Sequence, residues 1–394
     1  MLHAFRARNF YSFKDTVEVS FVLNQKAPDS LYIAQAPSGA RLNKVMAVVG
    51  PNGSGKTNLL KIPTYLRWLM LYSFQMLEPD APLRFNPFFL QAKQNSELGI
   101  DFEINGQIYS YEIVLSEQSI LDETLHLKGK RSRNLIHRTT DPVTKKTTVR
   151  SDWGIKSSMI TKILRPNSTI VSLLKQTEDK DSESVVRYFN QFSSNVHGHN
   201  MYKLSDNDIL AAAEYFYQRS DMKQEVDSML ANFDLGLRQV EIRKIIDDDK
   251  KEEFYLPYGA HQIGKKKIML PFWQESSGTQ SLFVLLSDIL PVLNSGGIAI
   301  IDEFESDLHP HMIPPVLDLF SNPNTNPNNA QLIFSCHSME TLNYLNKYQI
   351  QLVEKNDMCE SESWRLDSMT GVRSDDNIYA KYMSGAYGGV PNIR

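Results

Sequence analysis

The sequence predicts an α/β fold: a mixed sheet flanked by helices, interrupted by an inserted lobe that is first β and then helical. Two patterns carry this expectation. The apolar run Val45-Met46-Ala47-Val48-Val49 leads through a glycine-rich turn into a helical stretch from Asn58 to Leu71. Much later, Gly297-Ile298-Ala299-Ile300-Ile301 and Ala330-Gln331-Leu332-Ile333-Phe334-Ser335 alternate with helical stretches, one from Thr279 to Leu293 and one after Pro314. Continuous apolar runs of this length suit central strands covered by helices on both faces. The helix-flanked domain is therefore expected to be split over residues 1–95 and 270–394.

The remaining elements follow in chain order. Leu2 to Phe10 and Val17 to Phe21 alternate apolar and polar side chains around a short turn, the pattern of two half-buried strands. Beyond the first helix, the aromatic, proline-rich connection Pro82 to Leu90 leads to Gly99–Ile104 and Gln107–Val114. These flank Asn105-Gly106, a pair that takes up the positive φ angles of a two-residue hairpin turn. Residues 96–150 are accordingly the hairpin-rich part. From about Ser151 to Gly236 the period turns helical, with one long helix expected from Asp206 to Asn232. Val240–Ile246, Glu253–Leu256 and Lys267–Leu270 then return as strands, so residues 151–269 read as a mainly helical insert with return strands.

Composition narrows the function classes. A chain of 394 residues has room for two lobes, since domains run to about 100–200 residues. With 41% hydrophobic and 22% charged residues it is of ordinary globular composition. A formal charge of -4 gives no bulk attraction to nucleic acid, although a local basic stripe would still serve. Three clusters qualify: Lys128 to Arg133 with Arg138, Lys145-Lys146, and Lys265-Lys266-Lys267. They are solvated faces at turns, or tracks for duplex phosphates or an acidic protein. The two cysteines, Cys336 and Cys359, cannot build a disulfide framework or a four-cysteine zinc site. With no stretch of roughly 18 apolar residues and no basic-then-apolar leader, a cytoplasmic protein without membrane contact is expected.

The chemistry concentrates at the ends of the apolar runs. Gly50-Pro51-Asn52-Gly53-Ser54-Gly55-Lys56-Thr57 is a complete G-x-x-x-x-G-K-T loop between strand and helix. There, backbone N–H groups cradle a polyphosphate at a helix N-terminus. Asn52, Gly53, Ser54, Gly55, Lys56, Thr57 and Asn58 are the candidate nucleotide-binding residues, with ATP or GTP as ligand. Asp302-Glu303 ends the run Ile298 to Ile301, where doubly wound sheets bind ligands. Asp302 with Thr57 is assigned to Mg²⁺, and Glu303 to the attacking water. Two acids capping a helix is the plainer alternative. His337, in Ser335-Cys336-His337-Ser338 at the next strand end, is placed to sense a γ-phosphate. Glu275-Ser276-Ser277-Gly278-Thr279-Gln280 precedes an apolar helix and, taken alone, is N-cap chemistry.

Taken together, GPNGSGKT, ESSGTQ, IIDEFESDLHP and SCHS resemble the motif set of ABC-type ATPases of the SMC and RecF branch. Their N-termini likewise carry pairs such as Asn9-Phe10 and Ser12-Phe13. The stretches PFFL and IDFEINGQIYSYEIVL, and the ending Asp376 to Ile393, narrow the resemblance to the bacterial RloA/AbiL group, related to the ATPase domains of OLD-type and PARIS-type anti-phage systems. The resemblance implies an ATPase, using ATP and Mg²⁺, that forms a head-to-tail homodimer or higher oligomer. Ser276, Ser277, Gly278 and Gln280 of one copy would meet the nucleotide held by the other, with Asp307 at the subunit contact. It implies catalytic roles for Lys56, Glu303 and His337, and a glutamine loop for which Gln91 is the candidate beside the metal. It also implies an abortive-infection role with a separately encoded effector, such as a Toprim-type nuclease, and a phage-derived trigger. No nuclease is expected in this chain, because Asp357, Glu360 and Glu362 do not form a strand-end carboxylate array. A DNA-repair or DNA-organising ATPase and a nucleotide-gated scaffold stand as alternatives.

Overall fold

The computed structural model describes residues 1–129, 132–153, 156–177, 179–196, 205–233, 236–247 and 252–390. Its centre is a six-stranded sheet in the order Phe192–Ser194, Ile298–Ile301, Gln331–Cys336, Val45–Val49, Ile350–Lys355, Ser361–Arg365. The first five strands pair in parallel and the last turns back antiparallel. Alternation along the strands explains why the apolar runs are unbroken. Val45, Ala47 and Val49 enter one core while Met46 and Val48 enter the other. The helix Lys56–Met76 packs over the second face, and Ser277–Ser295 with Ile313–Ser321 covers the first. Both faces are therefore dry, as parallel sheets require.

A second sheet of seven strands runs Thr147–Ser151, Arg133–Thr140, Ile120–Lys128, Gln107–Leu115, Ser96–Ile104, Leu2–Arg8, Val17–Ser20, all antiparallel. Its first hairpin turns at Asn105 and Gly106, with φ of 50° and 80°. The hairpins of residues 96–150 are thus continuous with the N-terminal strands, because Ser96–Ile104 lies against Leu2–Arg8. A smaller sheet, Leu237–Asp247, Glu252–Ile263 and Lys266–Pro271, carries the chain back toward the central domain.

The structure corrects two sequence expectations and adds to a third. The long helix expected from Asp206 to Asn232 is two, Asp206–Gln218 and Ser220–Phe233. They break at Arg219, with φ -119° and ψ 68°, so that Ile209, Ala212 and Phe216 and then Met222, Val226 and Leu230 all reach one core. The mainly helical insert also carries a strand, Phe192–Ser194, which adds the edge of the central sheet and pairs with Ile298–Ile300. Arg138 cannot belong to a basic surface, because it is fully buried. Of its cluster, Lys130 and Arg131 lie outside the described residues, as do Pro391, Asn392 and Ile393 of the C-terminal motif. Lys128 is paired with Asp101 at 2.8 Å and Arg133 with Asp152 at 3.0 Å.

Candidate functional site

The strand Val45–Val49 ends at Gly50, where a Cβ would come within 2.1 Å of the Val353 carbonyl oxygen. Only glycine lets the loop lie that close to the neighbouring strand. Gly53 and Gly55 take left-handed φ of 76° and 116°, turning the backbone into the helix Lys56–Met76. The first N–H groups of that helix have no intrahelical acceptor and are free for an anion. Lys56 is buried and its Nζ donates to the carbonyls of Gly50 at 2.8 Å and Pro51 at 3.1 Å. Burial pushes this ammonium below its ordinary value, against the upward pull of Asp302, Glu305 and Glu303.

Two strand ends meet the loop. Thr57 Oγ1 donates to Asp302 Oδ2 at 2.7 Å, and Ser335 Oγ donates to Asp302 Oδ1. Ser335 Oγ also accepts from the Glu303 N–H at 2.8 Å. Asn195, beyond the edge strand of the insert, brackets Asp302 with two backbone bonds of 2.7 and 3.0 Å. Glu303 itself sits at φ 50°, a left-handed position that costs a non-glycine residue roughly 1–2 kcal/mol. Such strain persists where surrounding bonds over-determine it and is concentrated at working sites. Here the Ser335 hydroxyl and the Ser306 N–H, which donates to the Glu303 carbonyl at 2.8 Å, do so. Glu305 Oε1 accepts from the backbone N–H groups of His337 and Ser338, fixing the backbone at His337.

An open cleft of about 1340 Å³ lies over the loop. Residues Gly50–Gly53 and Gly55–Asn58 form its floor, Glu303, Glu305 and His337 one wall, and Lys355 with Tyr382 to Gly385 another. Pockets for small molecules run to about 1,000 Å³, so a nucleoside triphosphate fits with space to spare. Two buried oxygens near this cleft, Ser54 Oγ and Glu305 Oε2, have no hydrogen-bond partner. Ser54 Oγ faces the Gly50 backbone behind the loop, whereas Glu305 Oε2 belongs to a residue that lines the cleft. The donor set also suits Mg²⁺, which takes one or two protein oxygens and fills the rest of its shell with phosphate and water. Thr57 and Asp302 would hold it.

The structure brings Asn52, Gly53, Gly55, Lys56, Thr57, Asn58, Glu303 and His337 to one cleft. Among the described residues, its walls do not include Ser276, Ser277, Gly278, Gln280, Asp307 or Gln91. The Ser276 hydroxyl accepts from the Thr279 N–H at 3.1 Å and Gln280 Nε2 donates to the Glu275 carbonyl at 2.9 Å, an N-cap. Gly278 lies against Asp307, whose carbonyl oxygen would be 2.9 Å from an added Cβ. Gln91 ends the short turn Phe89–Gln91, with its carbonyl accepting from Asn9 Nδ2 at 3.2 Å and its Oε1 buried without a partner. Sequence reasoning passed over Glu305, Asn195 and Lys355. Glu305 is legible as a third acid after the strand; nothing local marks the other two.

A family model described as "AAA domain, putative AbiEii toxin, Type IV TA system" matches residues 45–343. No curated protein matches the chain. Among solved structures, the SMC head domain from Thermotoga maritima is similar at 14% identity and a TM-score of 0.46, covering 92% of this chain and 98% of that one. An SMC head bound to the C-terminal winged-helix domain of ScpA is similar at 14% identity and 0.43, covering 94% and 99%.

Proposed function

The chain belongs to this AAA-domain family of P-loop proteins, and on that premise we propose that it binds and hydrolyses ATP between two copies of itself. The observation that carries the proposal is the division of the motifs. Lys56, Thr57, Glu303 and His337 converge on the cleft, whereas Ser277 and Gly278 stand outside it at the head of another helix. A second copy, apposed head to tail, supplies what the cleft lacks: a hydroxyl, backbone N–H groups and the positive end of the helix Ser277–Ser295. Lys56 and the loop N–H groups hold the polyphosphate, and Thr57 with Asp302 holds Mg²⁺, which supplies charge neutralisation at the phosphates when bound. Glu303, on the wall of the cleft, orients and deprotonates water. His337 reports the terminal phosphate through the turn that Glu305 secures.

In this scheme ATP closes the assembly and hydrolysis opens it, and the state of the assembly controls a separately encoded effector. The family's toxin–antitoxin description and the resemblance to the RloA/AbiL group favour anti-phage defence as the setting. Mixing two inactive variants tests the shared site. Lys56→Ala retains Ser277 and Gly278, and Ser277→Arg retains the loop, so a mixed pair rebuilds one complete site. Recovery of ATP turnover on mixing is expected. A mixture as inactive as its parts breaks the proposal.

A further inference from the structure

The wall of the cleft opposite Glu303 comes from the C-terminal part of the chain, beyond the residues 45–343 that the family model matches. Lys355 ends the strand Ile350–Lys355, which lies beside Val45–Val49 with Leu352 opposite Val49. This register sets Lys355 alongside the glycine-rich loop, and the approach of Gly50 to the Val353 carbonyl keeps it there. Among the described residues Lys355 is exposed and lines the cleft, and its ammonium makes neither a hydrogen bond nor an ion pair. The turn Met383–Val390 completes the wall. Gly385, Gly388 and Gly389 all take left-handed φ, of 78°, 70° and 66°. The Gly389 N–H donates to Glu354 Oε2 at 3.1 Å, and the Tyr382 hydroxyl donates to the Gly389 carbonyl. A Cβ on Gly388 would stand 2.9 Å from Glu354 Oε2, so the turn is seated by its glycines against the residue that precedes Lys355.

Charge decides what this wall is for. The cleft presents Glu303 and Glu305, and its lysines are Lys56 and Lys355. Glu303 and Glu305 repel a triphosphate, and an ammonium on the cleft wall offsets that repulsion alongside Lys56 and Mg²⁺. We infer that Lys355, which lines the cleft together with the Met383–Val390 turn, is a second phosphate-binding cation of the nucleotide site. The same wall communicates with the switch histidine, because the helix Ile378–Met383 packs on the turn Met339–Asn343 that follows His337. Nucleotide binding therefore orders the C-terminal segment as well as the loop. This inference rests on the nucleotide-binding role proposed above.

Two measurements with Mg-ATP test it. Titration calorimetry on Lys355→Ala should show affinity weakened about tenfold, the loss of one charge-assisted hydrogen bond, while Lys355→Arg retains most of it. Hydrogen exchange on the parent chain should show protection by Mg-ATP in peptides spanning residues 50–58 and also in those spanning residues 378–390. Protection confined to residues 50–58, with Lys355→Ala binding as tightly as the parent, overturns the wall and leaves the nucleotide-binding proposal standing. No heat of binding and no protection at residues 50–58 would sink both.

Discussion

The cleft and the interior of the seven-stranded lobe both bury ionisable groups, and they settle the cost in opposite ways. In the lobe, the Arg138 guanidinium is fully enclosed and donates to the carbonyls of Ser168 at 2.8 Å, Pro166 at 3.0 Å and Arg165 at 3.3 Å, and to Thr140 Oγ1 at 3.2 Å. Glu123, equally enclosed, accepts from the Ile170 N–H at 2.9 Å and the Tyr111 hydroxyl at 3.0 Å. That network is closed and ties the hairpins to the helix Ile170–Gln176. In the cleft the bonds stop short: Lys56 leans on its own loop's carbonyls, Glu305 Oε2 has no hydrogen-bond partner, and the Lys355 ammonium faces open space. A satisfied polar network locks a shape, whereas an unsatisfied one at a cleft is completed by a ligand.

The contrast can be broken from either side. Lys56→Ala has the largest expected effect: ATP affinity should fall on the order of 100-fold, as a buried charge-assisted contact is lost. Affinity unchanged by direct titration would mean that the unpaired groups of the cleft serve something other than a polyphosphate. Next comes Glu303→Gln, which should lower turnover on the order of 100-fold or more while ATP stays bound. Light scattering in the presence of ATP should then find the closed assembly enriched; turnover equal to the parent's removes Glu303 from the water-activating role. Ser335→Ala sharpens the comparison, since it strips hydrogen bonds from both Asp302 and the Glu303 N–H. It should cost about 1–3 kcal/mol of stability and slow turnover, and an unaltered melting curve would show that the strand-end acids are held by other means.

The smallest effect belongs to the closed network. Burial pushes the Glu123 carboxyl up to about 7, with Arg138 and the Ile170 N–H pulling the other way. Between the ordinary value of 4.5 and about 7 the folded chain holds a proton that the unfolded chain has released. The stability this proton contributes is full below about 4.5 and is lost as pH rises through about 7. Glu123→Gln should therefore flatten the dependence of Tm on pH in that window, by roughly a few degrees. A parent and variant with parallel Tm profiles would show that Glu123 does not carry the titration.

Much of the cleft was legible because its motifs are local. A glycine-rich loop between an apolar strand and a helix, and acids at the end of a second apolar strand, are fixed by backbone chemistry over a few residues. Asn105-Gly106 fixed its hairpin turn for the same reason. The residues that escaped are those whose roles depend on distant chain. Asn195 meets Asp302 across 107 positions, and Ser361, whose hydroxyl donates to the Ser54 carbonyl at 2.5 Å, across 307. Arg138 read as one more surface cation because nothing beside it in sequence shows that carbonyls 27 to 30 residues later enclose it. The helix break at Arg219 escaped because the apolar period persists through it and only the shared core demands the bend.

By itself, then, the sequence determined the phosphate loop, the two buried strands that end in Asp302 and His337, and the α/β class that places them at one edge. Those features need only φ preferences, side-chain periodicity and hydrogen-bonding capacity within a few residues. The tertiary structure alone decided which groups share the cleft, that the segment Ser276–Gln280 stays outside it, and that the C-terminal turn closes its far wall. Those outcomes depend on how strands far apart in the chain align in one sheet, and on which polar atoms are left without a partner once they do.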